Sequence, residues 1–332
     1  MVAYRRPVTP VGPSELESLA GDLSRVEAAL RDSVRSDDPF LTEVASHLIV
    51  AGGKRVRPAF AVAAAGTARS GAQPVTDETI LGGVAVELVH LGSLYHDDVI
   101  DDAPTRRTVE SVNARWGNLK AILAGDFLLA RASEIAASLG TEVAGLLAAT
   151  IARLCEGEVR ELQAAYDVGR TEEAYLAAVD GKTASLFATA CRIGGIVGGL
   201  PRPAIEALTA FGRHYGMAFQ IVDDVLDVVA TDEELGKPSG HDLVEGVYTL
   251  PVIRALASRT GDALRDLLGH PIEGAALAEA RSLVRSDGAV SDSVAAAGRF
   301  VGTAVEALHP LGPSDSVDWL AATARQLLAR FA

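Results

Sequence analysis

The stretch HDDVIDDAPTRR, His96 to Arg107, places carboxylates at positions 97, 98, 101 and 102 and two arginines, Arg106 and Arg107, just beyond them. Asp97, Asp98 and Asp101 form the pattern DDxxD, and the chain repeats it as DDVLD at Asp223, Asp224 and Asp227. On a helix, residues four apart share a face, so Asp97 with Asp101 and Asp223 with Asp227 each aim two carboxylates in one direction. Like charges held that close need an opposite charge. Carboxylate oxygens suit a hard divalent cation such as Mg²⁺, which commonly completes its shell with substrate phosphates. One such pattern would be weak, but here two copies follow strongly apolar runs, where a merely solvated acidic surface is not expected.

A basic cluster, GGKRVRP at 52–58, sets Lys54, Arg55 and Arg57 beside a glycine pair and ahead of Pro58, a residue suited to starting a helix. Arginine offers a planar fork and lysine a point charge, and either can grip a diphosphate close to a helix amino terminus. Metal-type carboxylates together with two cationic groups, this one and Arg106–Arg107, imply two anionic substrates.

Helices must position these groups. Pro7, Pro10 and Pro13 mark 1–13 as a flexible arm, and Ser14 with Glu17 reads as a capping box opening the first helix. Apolar periodicity predicts helices over about 14–35, 39–51, 58–69, 77–102, 118–138, 141–166, 183–199 and 202–229. GVAVELVHLGSLYH (83–96) and GMAFQIVDDVLDVV (216–229) are apolar almost all round, as central helices are. ATDEELGKPSGHDLVEGVY, 230–248, breaks the pattern and reads as a mobile functional loop, after which amphipathic helices resume. No repeat or linker composition divides 14–332, so one domain is expected.

Alanine and leucine lead a composition that is 48% hydrophobic and only 5% aromatic, which favours an all-α class over sheets. With 44 acidic against 30 basic residues the chain carries −14, which argues against a nucleic-acid partner. Cys155 and Cys191 stand alone in apolar surroundings and are expected to be buried core thiols of a protein in a reducing compartment. No run reaches the roughly eighteen uninterrupted apolar residues of a membrane span, and MVAYRRPVTPVGP lacks a signal-peptide core. A cytoplasmic location is expected.

With these motifs in order, the sequence resembles the trans-prenyl diphosphate synthases, the polyprenyl synthetase family, over most of residues 50–254. The landmarks are GGKRVRP (52–58), ELVHLGSLYHDDVIDDAPTRR (87–107), SVNARWGNLKAILAGDFLLARA (111–132), GKTASLF (181–187), FQIVDDVLD (219–227), GKPSGHDL (236–243) and TLP (249–251). The resemblance implies an isoprenoid-synthase-type helix bundle around a deep central cavity, with the two aspartate motifs facing each other across its mouth. Asp97, Asp98, Asp101, Asp223, Asp224 and Asp227 would then bind Mg²⁺, three ions with substrate present, and an allylic diphosphate. Arg106, Lys182, Thr183, Gln220 and Lys237 match positions on that allylic side. Gly53, Lys54, Arg57, His90 and Arg107 match those receiving isopentenyl diphosphate; on its own, His90 would read as a core histidine. The implied reaction ionises the allylic carbon–oxygen bond, adds the resulting cation to the double bond of isopentenyl diphosphate and loses a proton to the released diphosphate. It needs no side-chain nucleophile.

The chain departs from the family at GVYTLP, where Val247 replaces a common lysine and removes one diphosphate contact. That departure opens a second reading, a regulatory or partner-dependent subunit. A class I terpene cyclase also ionises allylic diphosphates, but its second motif is an Asn/Ser/Glu pattern, unlike DDVLD, and it has no use for Lys54, Arg57 and Arg107. The first motif lacks the insertion of bacterial short-chain members, which disfavours a farnesyl product. Gly92 and Ser93 lie one turn below Asp97 and are expected to line the cavity. By resemblance, their small size lets a growing chain pass deeper. A long-chain all-trans product follows, with geranylgeranyl diphosphate as the alternative and Leu88, Val89, Leu123 or Leu128 as candidate floors. The resemblance further implies a homodimer, and a peripheral membrane contact could serve product release.

Overall fold

Sequence-local rules set several helix starts in the computed structural model, which describes residues 13–68, 74–231 and 239–331. Helices α1 (Pro13–Ser33), α2 (Pro39–Val50), α3 (Val56–Gly66) and α4 (Asp77–Ile100) come first. Asp38 caps α2 by accepting from Phe40 N at 2.8 Å, and Thr76 caps α4 by accepting from Thr79 N at 3.3 Å. A two-residue hairpin, β1 (Thr105–Arg106) and β2 (Val109–Glu110), interrupts the helices, and α5 (Val112–Trp116), α6 (Asn118–Ser138) and α7 (Thr141–Gln163) follow. α8 (Glu172–Val179), α9 (Ser185–Val197) and α10 (Arg202–Val229) complete the central part. Beyond it lie α11 (His241–Val244), α12 (Leu250–Leu256), α13 (Gly261–Leu267), α14 (Gly274–Ser286), α15 (Ala289–Ala307) and α16 (Asp315–Gln326).

The expected all-α class holds. α4 and α10, apolar nearly all round, are the central helices: α4 packs against α3, α6 and α9, and α10 against α9 and α15. Aromatic rings tie three of them together, with Phe60 of α3 4.5 Å from Tyr215 of α10 and 5.6 Å from Phe187 of α9. Small residues let backbones meet where side chains would block them; at Gly194 a Cβ would overlap the carbonyl oxygen of Ala61. A second, smaller apolar cluster under α12–α15 covers the far end of α10. Among the described residues no helix is long and apolar enough to cross a membrane.

Several expectations are corrected. Residues 172–182 are helical, not a connection: Thr171 caps α8 by accepting from Ala174 N at 3.1 Å, and a π-helical turn at Asp180–Ala184 carries it straight into α9. Gly181, which reads as a break, instead lies against the α7 backbone. Cys191 is buried as expected, but Cys155 is exposed because α7 buries the stripe Val143, Leu147, Thr150 and Gly157, and Cys155 stands off it. Leu123 is 64% exposed, which does not suit a buried floor, whereas Leu88, Val89 and Leu128 are fully buried. The arm falls almost wholly on residues 1–12, outside the described residues, and α1 already begins at Pro13, so Ser14 lies within its first turn. Much of the 230–248 loop is likewise outside them, and its described part is a pinned turn carrying α11.

Replacing Gly194 with Ala is expected to cost roughly 1–3 kcal/mol through this backbone clash. A urea midpoint equal to that of the wild-type protein would contradict the close packing of α3 on α9.

Candidate active site

Two charge clusters of opposite character lie along α4. At its middle, Glu87 is 2% exposed and faces cations from two separate loops. Arg55 Nη1 donates to Glu87 Oε1 at 2.9 Å, Nη2 to Ile49 O at 3.1 Å and Nε to Glu27. Arg107 Nη1 donates to Leu48 O at 3.1 Å and to Gly52 O, with Nη2 3.9 Å from Glu87. A Cβ at Gly53 would stand 2.8 Å from the Arg107 guanidinium, so the glycine makes room for it. The Arg57 guanidinium stacks over the Phe187 ring at 4.6 Å, and its buried Nε has no partner.

Burial lowers Arg57 to about 10, with Arg107 adding to the fall and Glu87 opposing it. Burial also pushes Glu87 up, against the pull of Arg55, Arg57 and Arg107. His90, one turn along α4, is driven well below its ordinary value by burial and then by Arg57 and Arg107, so its ring stays neutral. Arg55, Arg57 and Arg107 against Glu27 and Glu87 leave one net positive charge, and exposed Lys54 adds another. Such a surplus suits an anion. Arg55 belongs to the cluster's frame, since all its contacts are internal.

The hairpin that carries Arg106 and Arg107 is strained for this purpose. Arg107 and Thr108 have φ of 53° and 67°, the left-handed pair that a two-residue turn requires, without a glycine to supply it. The turn sends neighbouring side chains apart: Arg107 toward Gly52, and Arg106 toward the end of α4, where its Nε donates to Asp98 Oδ1 at 2.6 Å.

The second cluster gathers at the carboxyl ends of α4 and α10, where helix dipoles disfavour negative charge. The six expected aspartates divide into two groups. Asp97, Asp101 and Asp223 are at least partly exposed. Asp98 is fully buried on Arg106, its Oδ2 without a partner. Asp224 is buried between Tyr175, whose hydroxyl donates to Oδ2 at 2.5 Å, and Gln220, whose Nε2 donates to Oδ1 at 2.8 Å. Thr183 Oγ1 donates to Gln220 Oε1 at 2.8 Å, which orients that amide. Asp227 is buried and accepts from His241 N at 3.3 Å and Asp242 N at 3.2 Å, holding the start of α11.

Lys182, on the π-helical turn, stands between the motifs, its Nζ 2.7 Å from Glu158 and 2.5 Å from Glu161 of α7. Burial would lower its pKa, but Glu161 and Glu158 reverse that and hold it raised. Burial pushes Asp97 up to about 7, helped by Glu158 and Asp101 and opposed by Lys182. Asp101 is pushed up to about 6 by burial and then Glu245. Asp224 rises to about 7, chiefly from burial, with Asp223 and Glu161 adding to it.

Oxygen-only donors, crowded, unevenly compensated and including one orphaned carboxylate oxygen, fit a hard divalent cation. Among the described residues no three metal-type side chains converge on one point. Lys237 lies outside the described residues. Val247 is half-buried, its amide donating to Asp242 O at 2.8 Å.

Gly92 and Ser93 separate. A Cβ at Gly92 would stand 3.1 Å from Gly125 O and 3.2 Å from Leu129, so this glycine serves the crossing of α4 and α6, not an open wall. Ser93 shares the partly exposed face of His90, Leu94 and Asp97 and donates to His90 O at 2.9 Å.

A model of the polyprenyl synthetase family matches residues 38–284. The chain belongs to the polyprenyl synthetase family. Among such synthetases, it is 40% identical to heptaprenyl diphosphate synthase component 2 of Geobacillus stearothermophilus over 294 residues, 88% of this chain and 91% of that one. It is also 40% identical to nonaprenyl diphosphate synthase of Mycobacterium tuberculosis over 291 residues, 85% and 86% of the two chains. Its fold matches a polyprenyl synthase from Caulobacter crescentus CB15, solved with calcium and isoprenyl diphosphate, at a TM-score of 0.89 and 32% identity over 98% of this chain and all of that one. As a polyprenyl synthetase the chain is a prenyltransferase, and the terpene-cyclase alternative falls.

Glu87 opens one of the landmarks but was given no role there, and Glu158, Glu161 and Tyr175, which lie beside the candidate site, fall outside the landmarks. Glu87 had a signal, a lone carboxylate inside an apolar helix. The others had none, since only the fold brings α7 and α8 to the motifs. Glu87→Gln is expected to destabilise the protein by about 3–5 kcal/mol, because it leaves the guanidinium groups facing one another. Denaturant unfolding that shows no loss would remove Glu87 as their counter-charge.

Proposed function

We propose that this polyprenyl synthetase condenses isopentenyl diphosphate with an allylic diphosphate to make a long-chain all-trans polyprenyl diphosphate, using Mg²⁺. The observation that carries the reading is the pairing, along α4, of a net positive arginine cluster with a carboxylate-rich end whose chemistry suits a cation. Arg57, Arg107, Lys54 and neutral His90 would hold isopentenyl diphosphate, whose charge replaces water around guanidinium groups that are already desolvated. Asp97, Asp101 and Asp223, the motif carboxylates with exposed surface, would hold Mg²⁺, which when bound would neutralise the departing diphosphate. Lys182 and Arg106 would add fixed positive charge at the same end, and Tyr175, Gln220 and Thr183 keep Asp224 oriented beneath it. Ionisation of the allylic carbon–oxygen bond frees diphosphate and a cation, the double bond of isopentenyl diphosphate attacks that cation, and the released diphosphate takes the proton lost.

Product length rests on Ser93, which shares the open face of α4 with Asp97. The names of the heptaprenyl and nonaprenyl relatives support a chain longer than geranylgeranyl. Replacing Ser93 with Phe is expected to shorten the product, read by chromatography after dephosphorylation; an unchanged size distribution would remove Ser93 from the tunnel wall.

One observation favours a second reading. A relative named as component 2 of a synthase, together with Val247 in place of a family lysine, supports a subunit that depends on a partner. Purified protein given Mg²⁺, labelled isopentenyl diphosphate and a farnesyl or geranylgeranyl starter is expected to yield prenyl diphosphates beyond geranylgeranyl, and EDTA is expected to abolish them. A stop at geranylgeranyl would keep the reaction and overturn the long product. No product with any starter would bring the partner-dependent reading forward.

A further inference from the structure

Lys182 is the central cation of the carboxylate-rich end, yet two glutamates already match its charge twice over. Glu158 and Glu161 lie on one face of α7 at a spacing of three, 2.7 and 2.5 Å from its Nζ. The backbone enforces this contact: at Gly157 a Cβ would stand 2.5 Å from Lys182 N and 3.0 Å from Ala178 O, so α7 and the π-helical turn touch main chain to main chain. The trio carries one negative charge net before its neighbours are counted. Glu158 also lies in the field of Asp97 and Asp101, and Glu161 in that of Asp224. Arg106, another described cation there, is bonded to Asp98 at 2.6 Å. A bare diphosphate arriving at this end meets carboxylates, whereas at the arginine cluster it meets net positive charge.

We propose that Glu158 and Glu161 are positioning residues that withhold Lys182 from a metal-free diphosphate at the carboxylate-rich end. A cation drawn to Asp97, Asp101 and Asp223 would relieve this excess of negative charge and leave Lys182 able to share its protons with phosphate oxygens. The inference rests on the assignment of the allylic diphosphate to the carboxylate-rich end.

The test is equilibrium binding of labelled farnesyl diphosphate and, separately, isopentenyl diphosphate to the wild-type protein and to the Glu158→Gln, Glu161→Gln double variant, each in Mg²⁺ and in EDTA. Glutamine keeps shape and hydrogen bonding while removing charge, and both positions are partly exposed. In EDTA the double variant is expected to bind farnesyl diphosphate at least about tenfold more tightly than the wild type, with isopentenyl diphosphate affinity unchanged. Unchanged or weaker farnesyl diphosphate binding in EDTA, or an equal gain for both ligands, would overturn the inference. Wild-type protein that fails to bind farnesyl diphosphate even in Mg²⁺ would instead overturn the assignment on which it rests. Should the double variant not fold, Glu161→Gln alone carries the same comparison, with the same direction expected.

Discussion

α4 must run through the middle of the bundle, where neighbours cover it on nearly every side, and still present charge along one face. Burying charge is costly unless partners are supplied, so the residues that meet this face are constrained in turn. Glu87 requires Arg55 and Arg107, Asp98 requires Arg106, and the two adjacent arginines can serve both only because the hairpin turns between them. The strain at Arg107 and Thr108, and at Arg55 with φ of 47°, follows from that demand. These backbone positions satisfy charge, not propensity.

The partners are deliberately unequal in number. Arginines outnumber the carboxylates that face them, a surplus of positive charge whose chemistry suits an anion. At the end of the same helix, carboxylates outnumber the lysine between them, a surplus of negative charge whose chemistry suits a cation. An isolated bundle gains nothing from either imbalance, so both are features to be explained by function and not by stability. Neutral His90 stands between the two surpluses along α4, and Ser93 lies between His90 and Asp97 on the face along which a chain would extend.

Much of this was legible in the residues. The broad apolar faces of 83–96 and 216–229 named the central helices, because a helix apolar all round has nowhere else to lie. The doubled DDxxD and the ordered landmarks named the family and the elements of the site. Less legible were features without a local signature. The π-helical turn at 180–184 was hidden because Gly181 reads as a break until α7 is known to press against it. Cys155 looked like a core thiol because its neighbours are apolar, yet the buried stripe of α7 passes beside it.

By itself the sequence determined which residue types are present, their spacing on a helix and therefore the chemistry they could share; these depend on covalent order and helical period alone. Tertiary structure decided which of the six aspartates keep exposed surface, that Arg55 is tied into internal pairs while Arg57 Nε has no partner, that Gly92 serves a helix crossing while Ser93 lies on a partly exposed face, and that Lys182 is held by Glu158 and Glu161. Each of these turns on the approach of elements distant along the chain, and a side chain's burial, charge and partners are properties of that approach, which no local pattern encodes.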